Sequence, residues 1–347
     1  MSKSRKAAAR SEHIPDLSRL LDLVGAFSRQ TILVIGDLVV DEYVTGEISR
    51  VSREAPVLIL RHRQTEIVPG GGANAANNLA ALGARVFPVG AVGDDPAGRA
   101  LAAYFRRKHI DTSGIVSVRG WTTTSKTRFL ARWAHTARQQ VLRVDCEPDN
   151  SPAPRAIQEI ARRARARIAK ANAVIVSDYG TGAVSPALLK GLRWKIATLD
   201  SRFRLLDYAR AKFLAATPNE PEIEALYHAK IGSDSGKLGE LGQKTLRTLG
   251  LRALLVTRGR DGMVLFERGE PAQDIPAYGN QDAVDVTGAG DTVIATFTLA
   301  LAAGAAFSEA AHLANFAGGI VVMKRGTATV SRAELEAAIR TEATAAK

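Results

Sequence analysis

Short β-like apolar runs alternate along this chain with alanine-rich helical segments, and that alternation leaves few folds open. TILVIGD (31–37) has the pattern of a buried strand, and ANAVIVSD (171–178), KIATLD (195–200), KFLAAT (212–217) and RALLVT (252–257) repeat it. The spacing predicts helices over ANAANNLAALGA (73–84), AGRALAAYFRRK (97–108), RAIQEIARRARARIAK (155–170), SPALLKGLR (185–193) and KLGELGQKTLRTLG (237–250). Strands and helices in this order build parallel βαβ units with right-handed crossovers. Ligands of such sheets bind beyond the carboxyl ends of the strands. Polar punctuation recurs at those ends: Gly36-Asp37, Ser177-Asp178, Asp200-Ser201, Thr217-Pro218-Asn219 and Thr257-Arg258-Gly259.

Two stretches lack helical periodicity and are rich in β-formers and charge, EYVTGEISRVSREAPVLILRHRQTEIVPG (42–70) and TTTSKTRFLARWAHTARQQVLRVD (122–145). They predict a small second sheet, a lid over about 42–68 and 122–145, inserted into one domain spanning 14–332. The basic segment 1–13 reads as a disordered tail, and 333–347 as a C-terminal helix or tail. A single Cys146 excludes an intrachain disulfide framework. The longest apolar stretch, Val293 to Phe307, is interrupted by Thr296, Thr298 and Gly304. It falls short of the ~20 residues that span a bilayer. A cytoplasmic protein without a membrane partner is expected. The net charge of +12 lies partly in the tail and partly in the arginine helix, where Ile157, Ile160, Ala161, Ala164 and Ile168 share one face. A solvated amphipathic helix accounts for that cluster, so no nucleic-acid partner is expected. The six histidines have no metal-ligand spacing.

The chemistry concentrates in DVTGAGDT (285–292), directly before the apolar run VIATFTLALAAG. A glycine-rich turn feeding a long helix aims backbone N–H groups outward at the positive end of the helix dipole. That suits a phosphoryl group in transfer, with Asp291 beside it as a base; a plain helix cap is the alternative.

Together with PGGGANAANNLAALGA (69–84), TPNEPE (217–222) and TRGRDG (257–262), in this order, the motif makes residues 31–332 resemble the ribokinase-like (PfkB) sugar kinases. The resemblance implies an α/β three-layer sandwich with a mostly parallel central sheet and a β-lid, using ATP and Mg2+. It implies that Asp291 accepts the proton of the attacking sugar hydroxyl, while the amides of Gly288, Ala289 and Gly290 hold the developing charge. Asn219 and Glu222 match the NxxE element that organises magnesium through water, and the same residues read as a helix cap with an acidic first turn. The resemblance places Thr257, Arg258, Gly259 and Thr287 near the nucleotide phosphates, a simple αL turn being the alternative for 257–259, and Asp285 with Thr287 near a monovalent-cation (K+) site. Gly71, Gly72 and Asn74 match the sugar-binding GG…N turn. Asp37 and Asp41, at a strand mouth, are placed to accept hydrogen bonds from vicinal hydroxyls. No GxxxxGK[ST] occurs.

Within the family the chain looks most like the kinases of D-glycero-D-manno-heptose 7-phosphate, which phosphorylate the anomeric hydroxyl. The residues are GDLVVDEYVTGEISRVSREAPV (36–57), TRFLARWAHTARQQVLRVD (127–145), SDYGTG (177–182) and GAGDTVIATFTLALAAG…GTATV (288–330). Two departures stand out: Thr181 occupies the place of a usual lysine, and Asp200-Ser201-Arg202 replaces a DPKG-like strand end. Lys126, Arg128 and Arg202 are the candidates to compensate as phosphate donors, with Arg50 and Arg53 as further ones, each arginine alternatively a solvated surface charge; Gln140 falls in a segment that matches the group. The competing readings are a family kinase for another sugar or sugar phosphate, and a basic nucleic-acid-binding or sensor protein on a kinase scaffold. Retention of Asp291, Asn219 and Glu222 argues against the second. The exposed edges of a lid sheet predict a homodimer. Such kinases are sometimes fused to a nucleotidyltransferase with an HxGH signature; with none here, no second activity is expected.

Overall fold

The computed structural model describes residues 15–133, 138–279 and 283–345; the tail at 1–13 and the lid segment 134–137 lie outside the described residues. The strands are β1 (Thr31–Gly36), β2 (Leu38–Val51), β3 (Leu58–Gly71), β4 (Arg85–Gly93), β5 (Ile115–Val118), β6 (Ser125–Arg132) and β7 (Gln139–Cys146). They continue with β8 (Ala173–Asp178), β9 (Ala197–Ser201), β10 (Ala215–Ala216), β11 (Ala253–Thr257), β12 (Met263–Glu267) and β13 (Gln273–Ile275). The helices are α1 (Leu17–Gly25), α2 (Gly72–Ala81), α3 (Pro96–Arg107), α4 (Pro154–Ile168) and α5 (Glu220–Tyr227). After them come α6 (Ser235–Leu249), α7 (Ala289–Ala302), α8 (Phe307–Val322) and α9 (Arg332–Ala345).

Alternation within β1 decides the layering. Ile32 and Val34 point into one core with α1, α2, α3, α7, α8 and α9, while Leu33 and Ile35 point into another with α4, α5 and α6. The main sheet has the order β13-β12-β11-β10-β9-β8-β1-β4-β5 among the described residues. It is parallel from β11 to β5 and antiparallel only at the β12–β13 edge. From β1 the chain moves to β4 and β5 on one side, and later to β8 and beyond on the other. A crevice between diverging crossovers therefore opens at the carboxyl ends of β1 and β8. The three-layer α/β sandwich is as expected.

The departures have local causes. β4 escapes a strand reading because Pro88 lies in its middle, paired across from Val34. SPALLKGLR forms successive i→i−3 turns rather than a helix, with Leu188, Leu189, Lys190 and Leu192 donating three residues back. The lid begins at Leu38, not at 42, because Asp37 alone separates β1 from β2. Its order is β3-β2-β6-β7, with β2 and β6 parallel. Helix α9 packs Leu335 and Ile339 into the first core, so the C-terminal segment is part of the domain. In α4, Arg162 and Arg163 bond Glu159, Arg163 also bonds Ile115 O at the start of β5 and Arg167 the Ser113 hydroxyl just before it, so much of its basic charge has intramolecular partners. Among the described residues no helix is long and apolar enough to cross a membrane.

Candidate active site

Two buried aspartates at the crevice shape one loop. Asp37, following β1, accepts the N–H of Tyr179 (2.8 Å) and of Thr181 (3.2 Å) on Oδ2 and that of Val184 (3.2 Å) on Oδ1. Burial pushes its carboxyl up to about 6 against these hydrogen bonds. Asp178, ending β8, accepts from Gly180 N–H (2.9 Å), Arg204 (2.7 Å) and the Tyr208 hydroxyl (2.6 Å). Asp37 thus does not take the sugar-facing position expected of it: it is fully buried, and its oxygens meet backbone donors.

Tyr179, at the start of that loop, donates its hydroxyl to Asp291 Oδ1 at 2.7 Å. Asn74 Nδ2 donates to the other oxygen, Oδ2, at 2.9 Å. Asn74 is itself oriented, because its Oδ1 accepts from Asn78 Nδ2 (3.1 Å), and Asn78 Oδ1 accepts from Thr292 (3.1 Å). A polar chain thereby locks α2 to α7. Glycine allows the approach: a Cβ on Gly72 would lie 2.9 Å from the Cα of Gly36, so α2 can start against the end of β1. Gly72 is therefore a packing residue, while Gly71 lines the cavity. Asp291 is buried in the first turn of α7. Burial chiefly, then the Asp200 charge, pushes its carboxyl up to about 8, opposed by Asn74 and Tyr179.

At the start of α7, Gly288 adopts φ 78°. The N–H of Ala289 donates to Val286 O at 3.2 Å, which removes it from the expected anion hole. The N–H groups of Gly288, Gly290 and Asp291 have no acceptor among the described residues. These three residues line a cavity of about 280 Å3. Its lining includes Asp41, Gly71, Lys126 and Arg128 together with Asp200, Arg202, Thr217, Asn219, Glu222, Thr257 and Thr287. Asp41 lies on the lid strand β2, where it bonds Arg128 at 2.5 Å and the Thr327 hydroxyl at 2.9 Å. Asn219 and Glu222 form a reciprocal cap on α5, 2.8 Å and 2.9 Å. Burial raises the Glu222 carboxyl; burial and the charge of Glu222 raise that of Asp200, against the pull of Arg202. Burial and the Arg202 charge lower the Lys126 ammonium. The buried Thr217 hydroxyl has no partner among the described residues. No three acidic, histidine or cysteine side chains among them converge on one metal position. Two carboxylates and an unpartnered hydroxyl around a polar cavity fit a divalent cation held largely through water.

Two chambers adjoin this cavity. One of about 160 Å3 shares Thr257 and Gly290 and is lined by Met263, Tyr278, Val286, Ala289, Val293 and Val322, with Gly259 at its rim. It is apolar and suits a planar base. The other, about 380 Å3, shares Arg128 and Thr287 and is lined by Gln64, Arg138, Gln140, Arg325 and Asp285. Gln140 therefore sits one chamber away from Asp291. The Asp285 carboxylate accepts from Thr287 N–H and Gly326 N–H, both 2.9 Å, so its side chain braces two loops. Arg258 bonds Glu220 at 2.7 Å and lines neither cavity. Arg50 and Arg53 are exposed on the lid hairpin, away from the cavity. Sequence reasoning did not single out Tyr179 or Thr217 for this site. Asp200 and Thr217 were visible only as strand-end residues, Asp200 also as part of the altered Asp200-Ser201-Arg202 strand end.

The model of the pfkB family of carbohydrate kinases matches residues 29–136 and 198–334. The chain is 39% identical over 322 residues to the bifunctional protein HldE of Desulfatibacillum aliphaticivorans, covering 91% of this chain and 64% of that protein. It is 41% identical over 310 residues to the HldE of Geobacter sulfurreducens, covering 87% of this chain and 61% of that one. The chain thus spans less than two thirds of the length of these bifunctional relatives. In fold it resembles Arabidopsis thaliana ribokinase complexed with ribose and ATP, with TM-score 0.68 and 20% identity over 90% of this chain and 99% of that one. It also resembles Escherichia coli phosphofructokinase-2 in complex with potassium, with TM-score 0.69 and 15% identity over 90% and 99%.

Proposed function

The chain belongs to the pfkB family of carbohydrate kinases, and on that premise we propose that it transfers the γ-phosphoryl group of ATP to the anomeric hydroxyl of D-glycero-D-manno-heptose 7-phosphate. The observation that carries this reading is the position of Asp291, between an apolar chamber on one side and an arginine-lined chamber on the other. The nucleoside fits the first chamber, its phosphates extend past Thr257 and Gly290, and the sugar lies against Asp41 and Gly71. Asp291 takes the proton as the acceptor oxygen bonds to the γ-phosphorus and the bridging oxygen leaves with ADP. The N–H groups of Gly288, Gly290 and Asp291 bind the transferring oxygens. Magnesium supplies charge neutralisation, and Glu222, Asn219, Asp200 and Thr217 are the residues that would hold it through water. A monovalent cation such as K+ at the Asp285–Thr287 turn would rest on backbone carbonyls, since the Asp285 carboxylate is committed.

The 7-phosphate is assigned to a lysine and a set of arginines. Lys126, Arg128 and Arg202 line the cavity and Arg138 and Arg325 the adjoining chamber, in place of the absent lysines. ADP release should therefore be fastest with heptose 7-phosphate. Its kcat/KM should exceed that of the unphosphorylated heptose by about 10²-fold, as expected for charge-assisted hydrogen bonds. Faster turnover of a pentose or hexose would move the assignment to another sugar.

We further propose a homodimer through the lid. Among the described residues strands β3 and β7 are the unpaired edges of the lid sheet, and Val141, Leu142 and Val144 on β7 are 44%, 56% and 44% exposed. Light scattering at micromolar concentration should give a dimer mass for the wild type and a monomer mass for the double substitution Leu142→Glu, Val144→Glu. A monomeric wild type would rule the dimer out.

A further inference from the structure

The base proposed above sits in surroundings that work against it. Asp291 is buried and shares its cavity with Asp41 of β2, Asp200 of β9 and Glu222 of α5. Lys126 and Arg128 of β6 and Arg202 after β9 supply the facing positive charge, but Arg128 is already bonded to Asp41. The hydrogen bonds made to Asp291 itself come from Asn74 and Tyr179, one to each oxygen.

Tyr179 is not in that place by chance of a rotamer. Its own N–H bonds Asp37, the next residues bond Asp178 and Asp37, and its ring packs beside Gly71. Lys126 stands 5.9 Å from the ring centroid. Two buried carboxylates at the ends of adjacent strands thus deliver one phenol to one carboxylate. Burial, with the Asp291 charge, holds that phenol well above its usual 10, so the hydroxyl remains a donor throughout the physiological range.

We propose that Tyr179 is a positioning residue for the base: its hydroxyl, carried by a loop that Asp37 and Asp178 tie down, fixes the Asp291 carboxylate toward the cavity. This rests on the reading of Asp291 as base. The arrangement also gives Asp37 a task in catalysis at one remove, which its position in the sequence does not suggest. A donor to the charged form lowers a carboxyl's proton affinity, so losing it moves titration to higher pH.

The test follows Asp291 directly in the full chain by carboxyl 13C NMR, its resonance identified by loss in Asp291→Asn. In Tyr179→Phe the titration midpoint should rise by about one pH unit, a tenfold change in proton affinity. The acid limb of kcat should move with it, while KM for ATP and sugar changes little. 3-Fluorotyrosine at position 179, a stronger donor of nearly the same shape, should move the midpoint the other way and serves if Tyr179→Phe does not fold. A midpoint unmoved by either change overturns the proposal. The NMR readout needs no acceptor sugar. If the midpoint moves and heptose 7-phosphate is not turned over, the positioning role stands and the substrate assignment falls. If Asp291→Asn retains full turnover, the base assignment falls, and a positioning role for that base falls with it.

Discussion

Asp291→Asn is expected to lower kcat by about 10³-fold or more, the range of a positioned general base, while leaving nucleotide binding in place. The same substitution should raise the stability of the ligand-free protein at alkaline pH. In the unfolded chain Asp291 titrates near 3.8, and in the folded chain burial and Asp200 push it up to about 8. Between these values the folded state holds the extra proton. The stability linked to it is complete below about pH 4 and is lost as pH rises through 8. Asparagine carries no charge to desolvate. Its amide can accept from Tyr179 or Asn74, but its Nδ2 then faces the other donor, so the relief is partial. Calorimetry from pH 5 to 8 should show the wild-type Tm falling more steeply than that of the variant, by on the order of a few degrees. An equal slope for both proteins would mean that Asp291 is not the titrating group. Lower activity together with higher stability is the pattern of a site that stores unfavourable charge for use.

What could be read from the sequence divides along the distance between partners. The alternation gave the layers because a strand's two faces and a helix's stripe are local patterns, written in β1 as Ile32 and Val34 against Leu33 and Ile35. The Asn219–Glu222 cap and the α7 turn are local for the same reason. Asp37 is the opposite case. An aspartate closing a strand looks the same whether a ligand or the chain itself fills its oxygens. Here the donors arrive 142 to 147 residues later. Tyr179 was invisible as a site residue because its partner, Asp291, is 112 positions away. Asp41 was legible as a carboxylate on the sugar side, but not its pairing with Arg128 across parallel strands, which depends on the lid register. Pro88 hid β4, although a parallel strand flanked by β1 and β5 can absorb one missing donor.

Gly290→Ala should separate stability from activity in the opposite part of the site. A Cβ at Gly290 would meet nothing within 4 Å, and the residue lies in the first turn of α7. Replacing glycine by alanine in a helix gains up to about 1 kcal/mol from helix propensity and the unfolded chain, so Tm should hold or rise. The open space is nevertheless the neck that the apolar chamber and the reaction cavity share. On the proposed nucleotide placement, a methyl group there would stand where the phosphates pass and keep the transferring oxygens off the neighbouring N–H groups. Turnover should fall by about 10²-fold, the effect of losing an oxyanion donor. Gly288→Ala provides the contrast. Its φ of 78° is costly for alanine, and its Cβ would come within 2.6 Å of Asn74 Nδ2 and 3.0 Å of Thr327 Cγ2. That variant should lose about 1–3 kcal/mol of stability along with its activity, since strain and overpacking act together. A Gly290→Ala protein that turned over at the wild-type rate would place the phosphoryl group elsewhere. The N–H groups at the start of α7 would then be no more than the frayed end of a buried helix.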